Sequence, residues 1–494
     1  MTTPSPTVVS IATASTPPAT ALARFEAALA GPDAVERIRA GLIGDAMQIE
    51  TPFGLRTLVY ADYVASGRAL RQVESFVAEE VLPIYSNSHT EASHCGQQIT
   101  RMRAEARAIV ARECGAGPEC HVLFAGSGAT AGLNRIVGLL DIPARLARGE
   151  RVEVLIGPYE HHSNILPWRE SGARVTEVAE AAEGGVDMAD LAARLADAAG
   201  ADLVIGSFSA ASNVTGQLTD VDAVTALLKR HGALAIWDYA CGAPYLPMVM
   251  DAPGAPKDAI VFSAHKFPGG PGASGVAVLR ETIIGRATPT LPGGGTVSFV
   301  SPWTHVYSGR VEAREEGGTP NVIGDIRAAL VLLVKKAAGA GWIHAREAEL
   351  RQRALEAWTG LEGLKILGRP GAAALPIFSF QLFHEGRQIH PQLVTRMLSD
   401  AFGVQARGGC ACAGPYAHRL LEIDEAASAA LLSRLQAGEE MAKPGWTRLN
   451  LSWCHSDAQV ATILEAVADL VRRAPEMAAE YRADPATARF SHVA

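Results

Sequence analysis

A chain of 494 residues is too long for one small core and long enough for a large domain plus a smaller one. Apolar residues make up 48% and charged residues 19%, with 48 glycines and 28 prolines, which fits a well-packed, loop-rich α/β enzyme and excludes a disordered or fibrous chain. The formal net charge of −8 carries no basic block, so the expected partner is a small molecule, not nucleic acid or an anionic membrane.

Residues 1–20, rich in Thr, Ser, Pro and Ala, lack the basic start and apolar run of a secretory signal and read as a flexible tail. No stretch approaches the roughly 18 consecutive apolar residues that span a bilayer. Seven scattered cysteines argue against a disulfide scaffold and for a reducing compartment, so a cytoplasmic location is expected. Residues 21–57 read as an N-terminal segment that packs on the smaller domain, and TLVYADYVASG as a strand entering a glycine turn. From 58 to 325, short apolar runs (HVLFAG, RVEVLIG, ARVTEVA, ADLVIGSFS, ALAIWDYA, DAIVFSA) are interleaved with helix-like segments. This alternation predicts an α/β large domain with a mostly parallel sheet covered on both faces. A long helical stretch over about 324–361 then leads into residues 326–494, a linking helix and a small α+β C-terminal domain. Within it, the charges of VKKAAGAGWIHAREAELRQR predict a solvated helix face.

Ligands of an open parallel sheet sit at the carboxyl ends of its strands, so what each run ends in carries the functional information. HVLFAG ends in Gly126, Ser127, Gly128, Ala129 and Thr130 and opens a helix, which suits a phosphate and equally an ordinary capped turn. ALAIWDYA ends in Asp238, a carboxylate that needs a cationic partner, such as a pyridinium nitrogen, or a turn to cap. After RVEVLIG come His161 and His162; no other ligand stands at a metal spacing, so no metal site is expected. Stacking on an aromatic ligand is the better role for His161, and an exposed-loop reading stays open for His162. VFSAHKFPGG ends in Ser263, His265 and Lys266, where a desolvated lysine can form a Schiff base with an aldehyde. Together these are the parts that hold pyridoxal phosphate.

In the order SGAT, EHHSNILPW, SNVTG, WDYA, FSAHK, GGTPN and RGGCACAGP, the chain resembles the class V aminotransferase-fold pyridoxal phosphate enzymes over residues 58–475. Within that group it is similar to the SUF-type cysteine desulfurases and selenocysteine lyases. The resemblance implies pyridoxal phosphate-dependent transferase fold type I, with Lys266 holding the cofactor aldehyde and moving the α-proton of the substrate. It further implies that Asp238 pairs with the ring nitrogen, that His161 stacks on the ring, and that Ala129, Thr130, Ser263 and His265 bind the phosphate. Thr319 of GGTPN would reach the phosphate of the partner in a homodimer. Asn213 and Arg448 would hold the substrate carboxylate, with Arg407 beside them. Cys412 would take sulfur from L-cysteine as a persulfide, leaving alanine and passing the sulfur to an acceptor protein.

Two departures stand out. Cys241 replaces the Gln that usually meets the cofactor's phenolic oxygen, and a thiol is a weak donor. Cys410, two residues before Cys412, replaces a usual His and reads as a redox-sensitive pair, a sulfur relay, a metal ligand or a small buried thiol. His89 is a further substrate-contact candidate. The expected activity is cysteine desulfurase or selenocysteine lyase. The alternatives are another class V reaction (amino-acid transamination, epimerisation or C–S lysis) and a non-catalytic cofactor-binding or sulfur-accepting protein.

Overall fold

The computed structural model describes residues 19–87, 91–409 and 412–493. Its centre is a seven-stranded sheet of β1 (Cys120–Phe124), β2 (Val152–Ile156), β3 (Arg174–Glu177), β4 (Leu203–Ser209), β5 (Leu234–Asp238), β6 (Ala259–Ser263) and β7 (Gly275–Arg280). The order is β1-β7-β6-β5-β4-β2-β3. β7 runs antiparallel to both its neighbours, and the pairs from β6 to β3 are parallel.

Both faces are covered, which is why these strands read as continuous apolar runs. Alternate side chains of β6 serve two cores, as the period of 2 demands. Ile260 and Phe262 pack with helices α1 (His94–Glu113) and α5 (Val322–Ala338), joined by α3 (Met188–Asp197) and α4 (Val221–Arg230). Ala259 and Val261 pack on the opposite side with α2 (Gly128–Leu139). A second, antiparallel sheet has the order β8 (Leu364–Ile366), β9 (Ile377–His384), β11 (Trp446–Asn450), β10 (Arg407–Gly409), with short strand Arg387–Gln388 beside β9. Its apolar side packs on α6 (Ala340–Trp358), α7 (Pro391–Phe402) and α8 (Asp457–Ala478). Among the described residues no helix is long and apolar enough to cross a membrane.

Four expectations change. The helical stretch over 324–361 is two helices, because Gly339 takes φ 85°, a left-handed conformation that ends α5 and starts α6. Its charges do not form one solvated face. Arg346 and Glu347 are buried, the Trp453 N–H donates to Glu347 Oε1 at 2.7 Å, and Lys335 Nζ donates to the carbonyls of Ala243 (2.6 Å) and Leu246. TLVYADYVASG holds only the two-residue strand Val59–Tyr60, which pairs in parallel with Val404–Gln405. Residues 21–57 divide: helix Ala21–Leu29 packs with α1 and α5, while the hairpin Gln48–Thr51/Gly54–Thr57 reaches the second sheet's helices, where Arg56 Nε donates to Ala401 O at 2.6 Å.

Candidate active site

The carboxyl ends of β1, β4, β5 and β6 open into a cavity of about 270 Å³. It is lined by Ala129, Thr130, His161, Asn213, Asp238, Cys241, Ser263, His265, Lys266, Arg407, Cys412 and Arg448. The structure thus brings together every expected site residue except Thr319, which is exposed and stands outside this lining. His89 and Cys410 lie outside the described residues.

At the phosphate-type turn, Gly128 takes φ 67°, and a Cβ there would stand 2.7 Å from Ser263 Oγ and 3.0 Å from His265 Cε1. Glycine therefore lets the start of α2 approach the end of β6, where the Ala129 N–H donates to Ser263 Oγ at 3.0 Å. The strand itself stops at Ser263; Ala264–Lys266 form a single 3-10 turn, so His265 and Lys266 leave the strand's alternation yet both line the cavity. Burial lowers the Lys266 amine below its usual range, helped by Arg448 and Arg407 and opposed by Cys241 and Asp238. Asp238 lies buried in this pocket, its Oδ1 accepting from the Ala240 N–H at 2.7 Å, and burial raises its carboxyl. The Cys241 thiol, pushed up to about 11 by burial, donates to Ser212 O at 3.6 Å. Its proton is therefore already committed within the chain.

His161 is held neutral: burial and then Lys266 push it down to about 4. The Ser163 N–H donates to its Nδ1 at 3.1 Å, which leaves the proton on Nε2. Ser163 Oγ lies 3.0 Å from the same Nδ1 and 2.6 Å from Thr130 Oγ1, joining the histidine to the phosphate-type turn. His162 is no free loop residue. Its N–H donates to Cys412 O at 2.9 Å and its Nε2 accepts from the Gly414 N–H at 2.9 Å, so it holds the cysteine loop on both sides of Ala413. Cys412 is exposed, lines the cavity, and takes the left-handed φ of 54°.

Three residues of this machinery are not apparent from local sequence patterns. Ser163 stands one position after the histidine pair. Glu160, one position before it, is buried and accepts from Ser209 N (2.8 Å), Ser209 Oγ (2.6 Å) and Asn164 Nδ2 (2.5 Å); burial pushes it up to about 7. Asp62, buried just past Val59–Tyr60, bridges Arg448 Nη2 (2.9 Å) and Arg407 Nε (3.0 Å). Its one signal is a carboxylate inside the apolar run VYADYV.

The site combines an amine biased toward its neutral form, a buried acid, a neutral imidazole, a helix start closely approached by a hydroxyl, two guanidinium groups and an accessible thiol. The Aminotransferase class-V family model matches residues 59–433. A probable cysteine desulfurase of Halalkalibacterium halodurans is 28% identical over 362 residues, 72% of this chain and 84% of that protein. Another, of Pyrococcus abyssi, is 28% identical over 367 residues, 74% and 87% of the two chains. Among solved structures, the apo cysteine desulfurase of Thermococcus onnurineus NA1 has a TM-score of 0.69 at 26% identity, covering 84% of this chain and 95% of its own. The Escherichia coli cysteine desulfurase CsdA (S-sulfonic acid) shares the fold, with a TM-score of 0.66 at 21% identity over 90% and 98% of the two chains. The expected type I fold is borne out by the sheet and by these neighbours. Given a match that spans most of the length and every cavity residue named above but Arg448, the chain belongs to the class-V aminotransferase family.

Proposed function

We propose that the chain is a pyridoxal phosphate-dependent enzyme that takes sulfur from L-cysteine onto Cys412 and releases L-alanine. The observation that carries this reading is Cys412 lining the same cavity as Lys266 and Asp238, on a loop that His162 holds by two hydrogen bonds. The residues fit the cofactor. Gly128, Ala129, Thr130 and Ser263 would supply a close backbone and hydroxyl cradle for its phosphate, and the carboxylate of buried Asp238 would pair with a protonated ring nitrogen. When bound, pyridoxal phosphate supplies an electron sink for bonds broken at the α- and β-carbons of an amino acid.

Lys266, its amine biased toward the neutral form, is suited to hold the aldehyde and then to carry the α-proton. His161, held neutral with its proton on Nε2, would stack on the ring and offer that N–H as a donor. Arg448 and Asn213 orient the substrate carboxylate. Cys412 Sγ then bonds to the substrate sulfur as the substrate's Cβ–S bond breaks; the bond pair stays with Cβ, which gains a proton. Cysteine plus thiol thus gives alanine plus persulfide, with no external oxidant. Thr319 would meet the phosphate bound by a second copy in a homodimer, and the persulfide would pass to an acceptor protein in the cytoplasm.

Cys412→Ala should lower alanine formation from cysteine by roughly a hundredfold or more while the cofactor absorbance band stays. An unchanged rate removes the reading. A second reading, a different class-V reaction with Cys412 a bystander, draws on Cys241: its thiol is bound to Ser212 O where the desulfurases carry an amide donor. A substrate panel in which only cysteine turns over eliminates it.

A further inference from the structure

The loop that carries Cys412 has few bonds of its own. Helix Gly414–Leu420 begins after Ala413, which offers no capping side chain, and its second residue is Pro415, which has no N–H. The Gly414 N–H therefore needs an acceptor from elsewhere in the chain. Cys412, two residues earlier, takes φ 54°, a left-handed conformation that a cysteine keeps only where its surroundings impose it.

Both restraints come from His162. Its backbone N–H donates to Cys412 O and its ring Nε2 accepts from the Gly414 N–H, each at 2.9 Å, with Ala413 buried between them. A Cβ at Gly414 would stand 3.1 Å from that Nε2, so glycine leaves the imidazole its room. A nitrogen that accepts carries no proton; the ring is neutral, with its proton on Nδ1. A second proton, on Nε2, would set donor against donor and free the loop at Gly414. The titratable and charged groups around the ring are His161, at 6.1 Å between centroids, Arg169 and Glu170 on helix Leu166–Glu170, and Cys412 itself. Helix Gly414–Leu420 adds His418, whose Nδ1 lies 2.8 Å from Gly414 O, and Arg419, which is ion-paired with Glu177. Burial, and then Arg169, hold the His162 ring below the ordinary 6.5.

We infer that His162 is a positioning residue for sulfur transfer: its neutral imidazole fixes the loop on which the Cys412 thiol stands at the cavity, and a proton on that ring unseats the thiol while leaving the Lys266 side of the cavity as it was. The inference rests on the reading of Cys412 as the sulfur acceptor and adds what sets its place. A displacement of about 1 Å at a reacting atom is enough to slow a step by orders of magnitude, so a loop held at two points matters to the rate.

The test compares two reactions of protein reconstituted with pyridoxal phosphate: alanine formation from L-cysteine, which uses Cys412, and exchange of the α-proton of L-alanine for solvent deuterium, which uses Lys266 and not Cys412. His162→Ala should lower the first about tenfold or more and leave the second within about twofold. Equal losses, or no loss, overturn the inference. Amide exchange at Gly414 should quicken in the same variant, with or without cofactor, and unchanged exchange overturns it too. His162→Gln keeps an uncharged acceptor near the place of Nε2. As pH falls from about 8 to about 5, the ratio of the two rates should drop in the wild type and hold in His162→Gln. A ratio that drops equally in both overturns the inference, and this arm stands if His162→Ala fails to fold. A wild type that forms no alanine from cysteine, or a Cys412→Ala variant that forms it at the wild-type rate, overturns the proposed function and this inference with it. Alanine formation that needs Cys412 but is indifferent to His162 overturns this inference alone.

Discussion

The two halves of the cavity manage polarity in opposite ways. Where the seven-stranded sheet ends, Lys266, Asp238 and His161 stand singly and burial drives each toward its uncharged form: the amine and imidazole down, the carboxyl up. Across from them, Arg407 and Arg448 are both ion-paired with Asp62. One half keeps its titratable groups out of ion pairs among the described residues, and the other locks its charges into a network. The contrast also separates what each half loses when a residue is removed: chemistry in the first, assembly in the second.

The largest expected effect tests the strand-end half. Lys266→Ala should abolish turnover, a loss of roughly a thousandfold or more, with the fold and the cradle for the phosphate intact. Turnover near the wild-type rate would erase the distinction between the halves, since Lys266 would then be no more than a buried strand-end residue.

The next effect belongs to the arginine half, whose N-terminal strand is tied down by His455. Its Nε2–H donates to Tyr60 O at 2.7 Å and its Nδ1 accepts from the Ser452 N–H at 3.1 Å, a pairing that only the neutral ring satisfies. Burial pushes it down to about 4 from an ordinary 6.5. Because the folded value is depressed, the unfolded chain takes up this proton first, so stability is full above pH 6.5 and falls as pH drops toward 4. At most the loss is on the order of 3 kcal/mol. Denaturant unfolding of the wild type and His455→Gln across that window should show a shallower acid slope in the variant; parallel slopes would locate the acid sensitivity elsewhere.

The smallest effect returns to the strand ends. Glu160→Ala strands Ser209 N, Ser209 Oγ and Asn164 Nδ2 in a buried site, which should cost about 2 kcal/mol. A melting temperature unchanged from the wild type would show that the histidine loop is held by other contacts.

The same contrast separates the residues whose roles are legible in the sequence from those whose roles are not. The strand-end half is legible because parallel strands put their functional residues at one rim, and each of Thr130, His161, Asp238 and Lys266 follows an apolar run whose end is visible in the sequence. Asp62 is not legible, since its partners lie 345 and 386 residues away and no local period connects them. Lys335, Arg346 and Glu347 mislead for a related reason. Helical charge spacing signals a solvated face only if nothing packs on it; the partners of Lys335 and Glu347 come from the turns at Ala243–Leu246 and Trp453, and Arg346 donates to Asp457 as well as to its helix neighbour Glu349. His162 falls between the two cases: its neighbour in sequence lines the cavity, while its own contacts are with Cys412 and Gly414.

The parallel pairing of Val59–Tyr60 with Val404–Gln405 also has a meaning for the order in which the molecule is built. On the ribosome, Asp62 emerges before every strand of the seven-stranded sheet, and Arg448 after them all. A nascent chain can lay down all seven strands of the central sheet and the glycine turn at Gly128 while the strand Val59–Tyr60 still waits for a dock. The arginine side of the cavity therefore comes into being only when β11 has been synthesised, and a prematurely terminated chain carries the strand-end side of the cavity without it.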